Sequence, residues 1–181
     1  KTKIIWICNP NNPTGTIITS KQQEEFLDSV PPNVVVVLDE AYYEYAKGED
    51  FPESVPLLKK YPNIIVLRTF SKVYGLASLR VGYGIASTEI ISYLNRLRPP
   101  FNINTLAQKA AIAALEDQSF VSNVVSETKK GLLALYDAFD RLGLRYVKSR
   151  ANFIWVETPY QSGEIFQMLL RKGVIVRPFM N

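Results

Sequence analysis

Ile64-Ile65-Val66-Leu67-Arg68-Thr69-Phe70-Ser71-Lys72, with Arg80 eight positions past the lysine, is the stretch that decides the fold. Four apolar residues in a row, Ile64 to Leu67, read as a buried strand of a parallel sheet. A lysine just beyond such a strand stands where open α/β sheets place their ligands, outside the carboxyl ends of the strands. The hydroxyls of Thr69 and Ser71 and the guanidinium of Arg80 suit a phosphate dianion. The amine of Lys72 suits a carbonyl carbon. A small molecule offering both an aldehyde and a phosphate would satisfy the whole set. Alone, a Ser-Lys pair near an Arg is ordinarily a solvated loop, so the rest of the chain has to decide.

Two upstream segments supply complementary chemistry. Val34-Val35-Val36-Val37-Leu38 is a second short apolar run, and it ends in Asp39-Glu40-Ala41-Tyr42. A carboxylate at Asp39 would keep a pyridine nitrogen protonated and so make the ring an electron sink, the central demand of pyridoxal 5′-phosphate chemistry. Tyr42 would offer its phenol to the 3′ oxygen of that ring. The competing reading has Asp39 capping a following helix, which accounts for neither Tyr42 nor Lys72. Ile4-Ile5-Trp6-Ile7 is a third apolar run, followed by Asn9-Pro10-Asn11-Asn12-Pro13-Thr14-Gly15. Its prolines and glycine mark a tight loop, and an asparagine amide there would reach the same oxygen.

Composition narrows the field. An apolar fraction of 47% over 181 residues is ample for the core of one or two modest domains. The formal charge of +4 is mild and dispersed, with no basic run suited to nucleic acid. No apolar stretch has the length of a membrane span and no secretory signal opens the chain. Cys8 is the single cysteine, which rules out an intrachain disulfide and fits a reducing cytoplasm. The chain has no histidine. This removes the usual general base, the Ser-His-Asp triad and the commonest metal ligand, and with one cysteine it argues against zinc. Acid–base work near neutral pH falls to a lysine, a carboxylate or a tyrosine. Lys72 would react as the neutral amine, which burial and the Arg80 charge would favour.

Apolar runs near 4–8, 34–38, 64–68 and 81–86 alternate with helical stretches, the signature of α/β layering. Ser20-Lys21-Gln22-Gln23 predicts a capping box opening a helix toward Val30. A helix opening at Ser87 or Thr88 ends before Pro99. Asn104 to about Glu116 and Ser119 to Leu142 are helical, the latter stopped by Gly143. Strands are predicted at 144–148, 152–157 and 174–177, with a helix from Ser162 to Lys172. Gly82-Tyr83-Gly84 lacks the third glycine and helix opening of a dinucleotide fingerprint and is rejected as one.

Asn9-Pro10-Asn11-Asn12-Pro13-Thr14-Gly15, Asp39-Glu40-Ala41-Tyr42, Thr69-Phe70-Ser71-Lys72 and Leu79-Arg80-Val81-Gly82, in this order, resemble the pyridoxal-phosphate-dependent aminotransferases of the aspartate aminotransferase fold (fold type I, class I/II). Four motifs in order with compatible spacing are far more specific than any one. The resemblance implies that Lys72 joins the cofactor aldehyde and that Asp39 pairs with the pyridine nitrogen. It implies further that Asn12 and Tyr42 contact the 3′ oxygen and that Thr69, Ser71 and Arg80 bind the phosphate. Thr69 stands where many relatives carry Ser. Arg98-Pro99-Pro100-Phe101-Asn102-Ile103-Asn104 and Gly173-Val174-Ile175-Val176-Arg177-Pro178 resemble, more narrowly, the histidinol-phosphate aminotransferases. That subgroup implies histidinol phosphate as amine donor and 2-oxoglutarate as acceptor, with Arg177 a candidate contact to the substrate phosphate and Asn152 a further pocket candidate.

The fold expected from this is α/β: a three-layer large domain with a mainly parallel sheet and part of a small α+β domain. Residues 1–118 would belong to the large domain, 119–143 to a bridging helix and 144–181 to the small domain. The resemblance also implies a homodimer, with residues 98–104 toward the partner's site. It suggests a fragment, since relatives carry an N-terminal phosphate-binding loop, an intersubunit tyrosine and a C-terminal substrate-binding arginine that have no counterpart here. Other transaminases, including aromatic ones, and decarboxylases share the same cofactor residues. A cofactor-sensing domain without catalysis, or an inactive remnant, are the readings of another class.

Overall fold

The computed structural model describes every residue except Glu49, Met180 and Asn181, so the last two positions of the expected 144–181 segment lie outside the described residues. The chain forms β1 (Ile4–Cys8), α1 (Ser20–Ser29), β2 (Val35–Asp39), the short helices α2 (Tyr43–Ala46) and α3 (Ser54–Leu57), and β3 (Ile64–Thr69). A single 3-10 turn at Ala77–Leu79 leads into β4 (Gly82–Ala86). Then come α4 (Thr88–Leu97), α5 (Thr105–Glu116), α6 (Gln118–Arg141), β5 (Tyr146–Val147), β6 (Trp155–Val156) and α7 (Ser162–Leu170).

The main sheet runs in the order β1-β2-β3-β4. The first three strands are parallel and β4 is antiparallel to β3. The mostly parallel sheet expected from the apolar runs is therefore present. Val36, Leu38, Ile64 and Val66 have no exposed surface and pack with Leu27 of α1 and Tyr61. Each such side chain contributes about 1.5–3 kcal/mol when fully buried, which makes this cluster the rigid floor under the strand ends.

The β3–β4 pairing explains the glycine at 82. A Cβ on Gly82 would come within 2.8 Å of the Arg68 carbonyl oxygen, so only hydrogen fits where Gly82 pairs with Thr69. Gly82 serves strand pairing rather than a nucleotide.

Four of the described helices, α1, α4, α5 and α6, start at side-chain caps. Ser87, Asn104 and Asp117 accept from backbone amides three residues on, at the heads of α4, α5 and α6. For α1 the cap is Thr19 rather than the predicted Ser20. Thr19 Oγ1 accepts from Gln22 N while Thr19 N donates to Gln22 Oε1. Ser20 is diverted because its hydroxyl donates to the Asp50 carbonyl. At the far end, Gly143 with φ of 65° ends the α6 region in the left-handed conformation.

The C-terminal part departs from expectation. β5 and β6 pair antiparallel over two residues each, shorter than the predicted strands. Residues 148–154 are committed to a turn that docks elsewhere, described below. The predicted strand 174–177 is absent: residues 174–179 carry no regular structure, and no described strand pairs with them. Val174 and Ile175 are exposed. α7 ends at Leu170, ahead of the predicted Lys172, and Gly173 has φ of 80°. α6 begins in one apolar cluster, through Val121, and ends in another, with Tyr136 stacked on Tyr146 at 4.9 Å.

Candidate active site

Because β1, β2 and β3 are parallel, their carboxyl ends lie along one edge. The register puts Cys8 level with Asp39 and Asp39 level with Leu67. The ladder continues past the strands, with Asn9 N donating to Asp39 O at 3.0 Å and Glu40 N to Leu67 O at 2.9 Å. The three polar loops are thus pinned side by side. Antiparallel β4 starts at this same edge, and Phe70 N donates to Val81 O at 3.2 Å. That pairing brings Arg80 back beside Thr69 and Ser71, although nine residues separate Phe70 from Arg80 along the chain.

The loop after β3 is fastened from beneath. Phe70, Val73 and Tyr74 are buried with Val81, Ala107, Ala111 and Val121. Ser71 N donates to Thr69 Oγ1 at 3.0 Å, Gly75 N to Lys72 O and Leu76 N to Phe70 O. With its apolar residues anchored, the loop presents Ser71 and Lys72 outward. Arg80 caps the 3-10 turn in the left-handed conformation, φ 54°, and its Nη1 donates to Ala77 O at 2.6 Å.

A cavity of about 410 Å³ opens over this edge, lined by Asp39, Arg68, Thr69, Ser71, Lys72 and Arg80 among others. Asp39 Oδ1 accepts from Ala41 N at 3.1 Å. The carboxylate therefore closes a turn two residues on, and α2 starts later, after Tyr42, with no side-chain cap. Asn12 Nδ2 donates to Tyr42 Oη at 3.0 Å, a contact between residues thirty apart in sequence. Lys72 Nζ stands 5.3 Å from the centre of the Tyr42 ring. On the side of Phe153 the same ring makes an edge-to-face contact at 5.1 Å. Tyr42 is 4% exposed, so its orientation is set by packing. Lys72 is exposed. The burial expected around its amine is not supplied by the described residues.

Below the edge lies a buried charge network. Arg68 Nε and Nη2 both donate to Glu40 Oε2, at 3.0 and 2.9 Å. Glu40 is 1% exposed and its Oε1 has no hydrogen-bond partner among the described residues. Burial pushes the Glu40 carboxyl above its ordinary range, against the pull of Ser54 and Arg68. The Tyr43 hydroxyl donates to both oxygens of Glu53, at 2.7 and 2.9 Å, and burial with this bond pushes its pKa up to about 12.

A second, larger cavity of about 1120 Å³ joins Asn12 and Pro13 to Phe153, Trp155, α7 and Arg177. Arg177 thus meets Asn12 across this space. Asn152 lines neither cavity and stands beside Tyr45, whose phenol burial pushes up and Asn152 draws partly back down. Two contributors escaped the sequence reading. Phe153 and the Glu40–Arg68 pair carry no spacing signal; a charge at the end of each of two apolar strands is the one feature that could have suggested the pair.

The chain is similar to histidinol-phosphate aminotransferase from Brevibacillus brevis, 53% identical over 177 residues, covering 98% of this chain and 49% of that protein. Histidinol-phosphate aminotransferase 2 from Carboxydothermus hydrogenoformans is 54% identical over 178 residues, covering 98% and 49%. The crystal structure of histidinol-phosphate aminotransferase from Sinorhizobium meliloti, in complex with pyridoxal 5′-phosphate, superposes with a TM-score of 0.90 at 30% identity, over 98% of this chain and 49% of that one. The chain spans about half the length of the curated relatives it matches. The sequence model of the family described as aminotransferase class I and II matches residues 1–180, and the chain belongs to that family.

Proposed function

We propose that the protein carrying this chain is a pyridoxal-phosphate-dependent aminotransferase. It moves the amino group of histidinol phosphate to 2-oxoglutarate, giving imidazole acetol phosphate and glutamate in histidine biosynthesis. It works in the cytoplasm as a homodimer. No described helix is long and apolar enough to cross a membrane.

The observation that carries this reading is the donor set at the strand ends. A carboxylate (Asp39), an amide–phenol pair (Asn12 with Tyr42, 3.0 Å), an amine (Lys72), two hydroxyls and a guanidinium stand together there. These match, group for group, a ring nitrogen to be kept protonated, a ring oxygen to be held as an anion, an aldehyde and a phosphate. When bound, the cofactor supplies an electron sink for a substrate carbanion.

The residues of the chain supply the rest. Asp39 holds a proton on the ring nitrogen, its own position fixed by the bond from Ala41 N. Asn12 Nδ2 and Tyr42 Oη would hold one ring oxygen between them, as the hydrogen bond that already joins them sets them side by side. Thr69, Ser71 and Arg80 anchor the phosphate by charge-assisted hydrogen bonds. Lys72 Nζ, close above Tyr42, takes the proton from the α-carbon of the substrate and returns it on the other side of the reaction. Arg177, across the second cavity from Asn12, is the contact for the phosphate of histidinol phosphate.

Borohydride reduction with pyridoxal phosphate, followed by peptide mapping, should place the label on Lys72, and Lys72→Ala should lose the visible band. Turnover of histidinol phosphate should exceed that of aromatic amino acids. A label elsewhere would remove the role of Lys72, and a preference for aromatic amino acids would reassign the substrate.

A further inference from the structure

The turn Ser149-Arg150-Ala151 is built against the loop that carries Asn12. Arg150 N donates to Gly15 O at 2.8 Å, and Arg150 Nη2 donates to Ala46 O at 3.0 Å, at the end of α2. Gly15 and Ala151 are buried. The approach is so close that a Cβ on Gly15 would come within 2.1 Å of Ser149 Oγ and 3.0 Å of Ser149 Cα, and Gly15 has φ of 72°. Only glycine meets both conditions.

The turn is held in its own shape by hydroxyls. Ser149 N donates to Tyr136 Oη at 2.8 Å, Tyr136 Oη donates back to Ser149 O at 3.4 Å, and Ala151 N donates to Ser149 Oγ at 3.0 Å. Two residues further on, Phe153 sets its ring edge to face against Tyr42. One short segment therefore touches the loop that carries Asn12, through Gly15, and the ring of Tyr42, through Phe153.

We propose that Ser149–Ala151, locked by Tyr136, is a positioning clasp that presets the Asn12–Tyr42 pair for the ring oxygen of the cofactor. Tyr136 and Ser149 are positioning residues, since neither lines the cavity over Lys72. The proposal rests on the assignment of Asn12 and Tyr42 given above. Its physical content is that a pair supported by two separate elements loses little further order when the ligand arrives, so its donors stay aimed at the anion.

The test is the pH titration of the visible absorption of bound pyridoxal phosphate, whose midpoint reports how well the ring oxygen is stabilised as an anion. Tyr42→Phe, Tyr136→Phe, Ser149→Ala and the doubles Tyr42→Phe/Tyr136→Phe and Tyr42→Phe/Ser149→Ala are compared with the parent holoenzyme, with Tm recorded for each. Tyr42→Phe should raise the midpoint, by about half a unit or more, as expected when one hydrogen bond to an anion is lost. Tyr136→Phe and Ser149→Ala should each move it in the same direction, by less. In the Tyr42→Phe background their shift should shrink, because only the Asn12 half of the pair is left to misplace. A lower Tm with an unmoved midpoint in both clasp variants, while Tyr42→Phe shifts it, would reduce the turn to a structural support and overturn the proposal alone. An unmoved midpoint in Tyr42→Phe itself would overturn the assignment of Tyr42 and the clasp with it.

Discussion

The guanidinium carbon of Arg68 lies 3.5 Å from the centre of the Tyr43 ring, while two of its nitrogens hold Glu40. The arrangement needs a flat cation with several donors. Replacing Glu40 by Gln leaves a largely desolvated cation without its counter-ion and should cost about 3 kcal/mol in a urea-unfolding measurement. Arg68→Lys should also destabilise, since an ammonium cannot both stack and bridge in this way. A cost under about 1 kcal/mol for Glu40→Gln would show that water reaches the pair.

Tyr43 gives a pH-dependent counterpart. Its pKa is pushed up to about 12 in the fold, against about 10 in an unfolded chain. A raised folded-state value means stability that is complete below pH 10 and lost as pH climbs toward 12. Thermal unfolding followed across that window should show the loss in the parent. Tyr43→Phe should show a weaker decline there, because it has no proton to release at that position.

The head of α1 separates two neighbouring hydroxyls. Thr19→Ala removes a reciprocal cap and should cost about 1 kcal/mol. Ser20→Ala loses only an exposed bond to the Asp50 carbonyl and should cost less. Equal losses in denaturant midpoints would mean that both residues cap.

Much of the fold was legible because its signals are local. Each apolar run from Ile4 to Ala86 became a strand, and each helix of nine residues or more began within a residue or so of the predicted start. The cap of α1 was misplaced by one position because Thr19-Ser20-Lys21-Gln22-Gln23 fits the capping pattern in two registers, and only the tertiary partner Asp50 chooses between them. The strand expected at 174–177 failed for a related reason: β-branched residues favour a pleated, half-buried surface, and no described strand offers Val174 and Ile175 one. At the site, the motifs named Asn12, Asp39, Tyr42 and Lys72, and parallel pairing explains why one edge holds them. The contacts of Ser149 with Gly15 and of Phe153 with Tyr42 span more than a hundred residues, and no spacing rule encodes them.

Arg80 couples backbone and charge. At φ 54° it occupies a region that costs a side-chain-bearing residue about 1 kcal/mol. Arg80→Gly should therefore keep the protein as stable as the parent, or nearly so. It should nonetheless weaken pyridoxal phosphate binding by roughly ten- to a hundredfold, the worth of a charge-assisted hydrogen bond or two. Equilibrium titration of the cofactor checks the second outcome and Tm the first. Unchanged affinity would remove Arg80 from the phosphate site.

Cofactor-facing and substrate-facing roles are separable at Arg177. Arg177→Gln should raise KM for histidinol phosphate by about tenfold or more while leaving cofactor affinity unchanged. A change in cofactor affinity without a change in KM would reverse that assignment.

The parallel pairing of β1 with β2 and β2 with β3 has a kinetic corollary. Neighbouring strands of this kind cannot be joined by a tight turn, so each pairing must close a loop of more than twenty residues before it gains any contact. The three loops that form the site meet only after both closures. A molecule bridging them recognises the assembled sheet and not its separate pieces, and mass action then favours the completed fold as that molecule becomes more abundant. Nascent chains maturing in a cell short of such a molecule would be exposed longest to unfolding and proteolysis at this same edge.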